Sequence, residues 1–181
     1  MGEILSILGK EDFYFAMLRT ATPVLLTTLG AMTASRAGVS NIALEGTMLF
    51  AAFFGVIVSA FSQSALLGFL AAVGIGLFIS LLLSYFIVEL HSNGILSGIA
   101  LNTLASGGTI FLLFLITGEK GASTSLHSLK LPALNIPLIE NIPFVGKILS
   151  GQHILTYLSL LLVFAIATLF KKSRLGMEII A

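Results

Sequence analysis

Between Gly46 and Val88 the chain carries no Asp, Glu, Lys or Arg. A bilayer core about 30 Å thick takes about 20 apolar residues per helix, so this run is long enough to cross twice. Water cannot solvate such a stretch, and the chain is expected in a lipid bilayer. Composition sets the same bound, because 57% of the residues are hydrophobic and only 9% are charged, against roughly 45–50% and 25% in soluble domains. The formal net charge of +1 includes no basic cluster able to follow a phosphate backbone, so no nucleic acid is expected as a partner. The absence of cysteine removes disulfides, thiol catalysis and thiolate-bound metals. The N-terminal MGEILSILGKEDF is too charged, and its apolar part too short, to be a cleavable signal peptide.

Charges and turn residues divide the sequence into five candidate helices, over 13–35, 42–62, 65–88, 95–117 and 154–170, each close to spanning length. The expected fold is therefore all-α, a polytopic transmembrane helix bundle in one domain over residues 1–181. The segment 118–150 holds Pro132, Pro137 and Pro143 and most of the loop charges, and is the one large piece expected outside the membrane. Lys171, Lys172 and Arg174 abut the fifth span, which places the tail in the cytoplasm. With five spans, the N-terminus and the 118–150 loop then lie outside, and the turn from Glu89 to Gly94 inside.

Helices in lipid do not associate by the hydrophobic effect, so small residues must let their backbones approach. The third span has Gly68, Ala72, Gly76, Ser80 and Ser84 at every fourth position, and the second has Ala51, Gly55, Ser59 and Gln63. Both stripes predict tight helix contacts. The fifth span lacks such a stripe and is crowded with Leu, Ile and Phe, which predicts a lipid-facing place.

Polar groups within this apolar sequence are the functional candidates. A carboxylate near mid-membrane costs several kcal/mol unless it is paired, protonated or wet, which singles out Glu45 in RAGVSNIALEG, residues 36–46. Asn41, four residues earlier, would share its face on a helix. Arg36 would lie about 180° away on an unbroken helix, so an Arg36–Glu45 pair requires a break near Gly38, of a kind tolerated where it lines a cavity. In the competing reading Arg36 sits at the cytoplasmic interface, and Glu45 is a first-turn residue stabilised by the helix dipole with Ser40 or Asn41 as cap. In the fourth span Gly94, Gly98, Asn102, Ser106 and Thr109 fall within about 120° of one another. That face predicts a helix contact or an aqueous route, and Gly94 with Gly98 forms a GxxxG packing motif.

Catalysis has no candidate constellation. His91, His127 and His153 are scattered and form no HExxH, Asp12 is the only aspartate, and GxSxG is absent, so neither a metal site nor a cofactor is expected.

RAGVSNIALEG followed by TMLFAAFFG resembles the membrane permease subunits of ATP-binding-cassette importers of the branched-chain amino acid, ribose and nucleoside type. The likeness extends to Thr22-Pro23 in the leading helix, to ILSGIALN over Ile95–Asn102, to the proline-bearing LPALNIPLIENIPFVGKILSGQ, and to the basic SRLGME after the fifth span. It covers nearly the whole chain from Thr22 to Glu178. The pattern most resembles the nucleoside and purine importers, with sugars and branched-chain amino acids left open. Members continue past the basic motif into a helix that docks on the ATPase and then into further spans. The chain is thus expected to be the N-terminal part of a longer permease, a fragment or truncation that stops as the coupling segment of 171–181 begins.

The resemblance implies a multi-pass protein of the cytoplasmic membrane, working with a second permease subunit, cytoplasmic ATPase subunits and an extracytoplasmic substrate-binding lipoprotein. It implies no enzymatic activity of its own, since GxxxxGK[ST] is missing. The expected substrate pathway is Asn41, Glu45, Ser97 and Asn102, and coupling to the ATPase is expected at Arg174, Gly176 and Glu178. Two alternatives stand beside it: a structural or assembly protein in which RAGVSNIALEG is only an interfacial bend, and an ion-coupled carrier with Glu45 as its cation site.

Overall fold

The computed structural model describes residues 11–36, 38–39, 41–119, 126–134 and 150–172. Five helices in it are long and apolar enough to cross a bilayer: α1 (Glu11–Arg36), α2 (Leu44–Ser62), α3 (Ala65–Val88), α4 (Gly94–Thr117) and α5 (Ile154–Lys172). All five expected spans are present, with ends within two residues of those read from charge and turn residues. The proline-bearing segment adds regular structure that hydropathy does not reveal. Ala133–Leu134 (β1) and Gln152–His153 (β2) pair antiparallel, Ala133 opposite His153.

The chain forms two compact units, residues 1–33 with 131–181, and residues 34–130. In the first, Pro23 lies inside α1 and removes one backbone donor. The hydroxyl groups of Thr22, Thr27 and Thr28 donate to carbonyls of the same helix, those of Leu18, Pro23 and Val24. Thr22 also donates to Thr156 Oγ1 of α5 at 3.0 Å in a buried contact. Just before α5, the buried Gln152 donates through Nε2 to Phe15 O at 3.0 Å. The Leu- and Phe-rich faces of α5 stay open, with Phe164 75% exposed.

The second unit is built from α2, α3 and α4. A tight turn joins the first two: Gln63 takes a left-handed conformation at φ 50°, and Ser64 Oγ caps α3 by accepting from Leu67 N–H. The helices then close on each other through their small residues. A Cβ added to Gly68 would stand 2.6 Å from Ser59 Cβ and 2.7 Å from Gly55 O, and one on Gly55 would stand 3.1 Å from Ala72 Cβ. The two stripes thus meet at Gly55, Ser59, Gly68 and Ala72. The C-terminal half of the α3 stripe does not take part, since Gly76 has nothing within 4 Å of an added Cβ and Ser80 and Ser84 are exposed. A buried apolar cluster of Ala43, Phe50, Ile79, Leu83, Leu101 and Ala105 draws α4 onto the pair.

Ser59 has a second duty. Only 4% exposed, it accepts from Leu129 N–H at 3.1 Å and lies 3.4 Å from Leu129 O. The start of the loop that follows α4 is thereby held against the α2–α3 hairpin.

Candidate functional site

The residues leading into α2 are not helical, and the reason is local. Gly38 takes φ +76°, which an L side chain rarely adopts. Its N–H bonds Ser35 O at 3.1 Å while Val39 N–H bonds Ala34 O at 3.0 Å, the paired pattern of a Schellman closure. The break needed near Gly38 therefore exists. Asn41 Oδ1 then accepts from Ala43 N–H at 3.1 Å, an Asx turn that leads the chain into α2.

This corrects two expectations. Asn41 precedes the helix, so helical spacing does not place it beside Glu45, and Ala43 rather than Asn41 holds the N-cap position without a side-chain cap of its own. Ser40 lies outside the described residues. Glu45 occupies the first turn of α2 and is exposed, as is Arg36 at the end of α1. Among the described residues no ion pair joins Arg36 to Glu45. Glu45 instead sits where the partial positive charge of the helix N-terminus favours a carboxylate.

The missing cap comes from another helix. Asn102 of α4 accepts through Oδ1 from Gly46 N–H at 2.7 Å and donates through Nδ2 to Ile42 O at 2.9 Å. One amide therefore satisfies a donor and an acceptor that the helix start would leave open. Close approach makes it possible. A Cβ on Gly46 would lie 2.8 Å from Asn102 Oδ1 and 3.0 Å from both Asn102 Cα and Leu101 O, and one on Gly98 would lie 3.1 Å from Ala43 N and from Ile42 Cβ. The two motifs singled out in the sequence, NIALEG and SGIALN, are thus the two sides of one interface.

The register of this interface sets the level of Glu45 along α4. Ile42 and Ala43 meet Gly98, and Gly46 meets Asn102, so α2 and α4 run parallel. Asn102 lies about 12 Å along α4 from Gly94, on a helix about 36 Å long. The α2 span, Leu44–Ser62, is about 28 Å long, close to the core thickness of about 30 Å, so Glu45 stands in the first turn of a membrane-spanning helix. Positions 45, 49, 52 and 56 share one face of α2 at about 100° per residue. Leu49, Ala52 and Val56 line a groove of about 300 Å³ with Phe53, Ile57, Thr109, Ile110 and Leu113, and Leu126 closes one side. Glu45 stands on that face one turn before Leu49, with Asn102 at its own level.

Ser97 belongs elsewhere. It lies about 140° from Asn102 around α4, and its hydroxyl sits 2.9 Å from that of Ser92. Together with Phe86, Ala100, Leu101 and Leu104 these serines line a separate pocket of about 270 Å³ at the α3–α4 turn. Arg174, Gly176 and Glu178 lie outside the described residues. Among the described residues no three His, Asp or Glu side chains gather into a possible metal site.

The sequence profile of the branched-chain amino acid transport system permease component family matches residues 13–181. The chain belongs to that family. Like other permeases of this kind it is a multi-pass membrane protein. It is 33% identical over 184 residues to the guanosine ABC transporter permease protein NupQ of Bacillus subtilis, covering 98% of this chain and 56% of that relative. With the nucleoside ABC transporter permease protein NupC of Lactococcus lactis it shares 30% identity over 90% of its own length and 53% of the relative's. A Haloferax volcanii protein bearing the name of a glucose ABC transporter permease, TsgC13, is 32% identical over 92% of this chain and 50% of its own length. The permease chain described here therefore spans about half the length of the curated relatives it matches. No solved structure matches it.

Proposed function

We propose that this chain forms part of the translocation pathway of an ATP-binding-cassette importer whose solute is a nucleoside. The observation that carries the proposal is the docking of NIALEG on α4, which holds a carboxylate beside a groove in the first turn of a membrane-spanning helix, where a wet or polar route would stabilise it further. Glu45 is the residue proposed to face the solute, and the hydroxyl groups of a ribose are donors suited to it. Asn41 shapes the turn before it. Ser97, on another face of α4, is left out of the route.

Two relatives named for guanosine and nucleosides favour that solute class, and the relative named for glucose makes a free sugar the second reading. ATP hydrolysis is assigned to separate cytoplasmic subunits, because the chain has no phosphate-binding GxxxxGK[ST] loop. A second permease subunit would complete the pathway. An external binding protein would deliver the solute to the proline-bearing loop. Arg174, Gly176 and Glu178 are proposed to lead into the contact with the ATPase, whose closure would rock the helices between two arrangements.

The test is uptake by the complete transporter in proteoliposomes, with guanosine, glucose and leucine as separate labelled solutes. Guanosine is the solute expected to accumulate. Glu45→Gln is expected to lower its uptake about tenfold, the loss of one charge-assisted hydrogen bond, with the amount of assembled protein unchanged. Uptake of guanosine at the wild-type rate by the Gln variant would remove Glu45 from the route, and accumulation of glucose alone would replace the solute class.

A further inference from the structure

We infer that Asn102 is a positioning residue: it sets where α2 begins inside the membrane and thereby where Glu45 points, without touching the solute itself. The inference rests on the reading of Glu45 given above.

The geometry points to this role. Each end of the Asn102 amide makes a bond to a main-chain group of one short segment, Oδ1 to Gly46 N–H and Nδ2 to Ile42 O. These two groups flank Glu45 on either side in sequence, so the amide fixes the backbone from which the carboxylate projects. Each group would otherwise be an open main-chain group at the start of a helix.

The nearest replacements do not match the task. Aspartate supplies the acceptor for Gly46 N–H but no donor for Ile42 O, alanine supplies neither, and glutamine carries an extra methylene into a contact already at 2.7 Å. Gly46 and Gly98 complete the device, since a Cβ on either would press on the facing segment and push it outward. Asn102 therefore acts on transport through Glu45. It is the fixed point about which the first turn of α2 is held.

The experiment measures uptake per assembled transporter, with the ATPase, binding protein and full permease present and with labelled guanosine, glucose and leucine as the solute panel. Four variants are compared: Asn102→Ala, Asn102→Asp, Glu45→Gln and the double variant Glu45→Gln with Asn102→Ala. Asn102→Ala is expected to lower Vmax/KM about tenfold, and Asn102→Asp to fall between it and the wild type. The double variant is expected to be no slower than the slower single one, because a residue that acts through Glu45 has nothing left to position once the carboxylate is gone. A purely structural role would lower the amount of assembled protein and leave uptake per transporter unmoved.

Multiplying effects in the double variant would show that Asn102 contacts the solute on its own account, and would overturn the inference, as would wild-type uptake per transporter in Asn102→Ala. If Glu45→Gln alone transports normally, the underlying reading of Glu45 fails instead. Should the alanine variant not assemble, Asn102→Asp, alone and combined with Glu45→Gln, carries the same comparison.

Discussion

Replacing Gly68 by alanine is expected to force α2 and α3 apart. The added Cβ would stand 2.6 Å from Ser59 Cβ, 2.7 Å from Gly55 O and 3.2 Å from Ser59 Cα. All three atoms are backbone or fixed to it, so no side-chain rotation relieves the clash and a whole helix must move. Overpacking of this kind costs about 1–3 kcal/mol, and this site belongs at the upper end. The movement also takes Ser59 away from Leu129, releasing the loop segment held there. Thermal unfolding of the detergent-solubilised transporter should show the loss, together with a lower yield of assembled protein. Adding Ser59→Gly should recover part of the stability, since it removes one of the clashing carbons but not the Gly55 carbonyl. Gly74→Ala is the control: an added Cβ there meets nothing within 4 Å, and stability should hold.

The second large effect is expected at Gly46. Its Cβ would meet Asn102 Oδ1 at 2.8 Å, and the fixed Asn102 Cα and Leu101 O at 3.0 Å each. Gly46→Ala therefore displaces the amide from the N–H it caps and also pushes the start of α2 off α4. The lost hydrogen bond, at a part-buried site, costs about 1 kcal/mol, and the backbone shift moves Glu45 with it. Uptake per assembled transporter should fall further than with Asn102→Ala, which removes the bond but leaves the helices free to stay close. Uptake by Gly46→Ala equal to or above that of Asn102→Ala would mean that the close approach of the two backbones is not what holds the carboxylate in place.

Much of this architecture is legible in the amino-acid sequence, for identifiable reasons. Span limits follow from charges and turn formers, because lipid leaves the backbone no alternative to a continuous helix. Gly38 is readable as a break, since glycine reaches positive φ at little cost. The first half of the α3 stripe is readable too, through Gly68 and Ala72.

Other features are not local properties. The capping of α2 by Asn102 joins residues 56 apart, and helical periodicity says which face Asn102 occupies but not which element will meet it. A hint lies in Gly46, a residue that costs a helix about 1 kcal/mol relative to alanine and so suggests close approach. Asn41 shows the opposite failure: spacing of four from Glu45 implies a shared face only where both residues are helical, and Asn41 is in a turn. Ser97 lies in the same SGIALN run as Asn102 yet projects to a different pocket, which motif proximity alone does not distinguish. The β1–β2 pairing joins Ala133 to His153 across the proline-bearing segment and has no signal in hydropathy.

The central claim is that the α2 face carrying Glu45 borders water at membrane depth. It is tested most directly by thiol accessibility at position 49, one turn beyond Glu45 on that face, which leaves the carboxylate intact. Leu49→Cys and the reference Leu81→Cys, at a 69% exposed site on α3, are introduced separately into this cysteine-free chain within an assembled transporter whose other cysteines have been replaced. Each is then treated with a small, charged, membrane-impermeant thiol reagent. The account predicts modification of the Leu49→Cys variant, slowed when the transported solute is present, and no modification of the Leu81→Cys variant. A thiol at position 49 as unreactive as the one at position 81 would place this face of α2 against lipid or protein and contradict it.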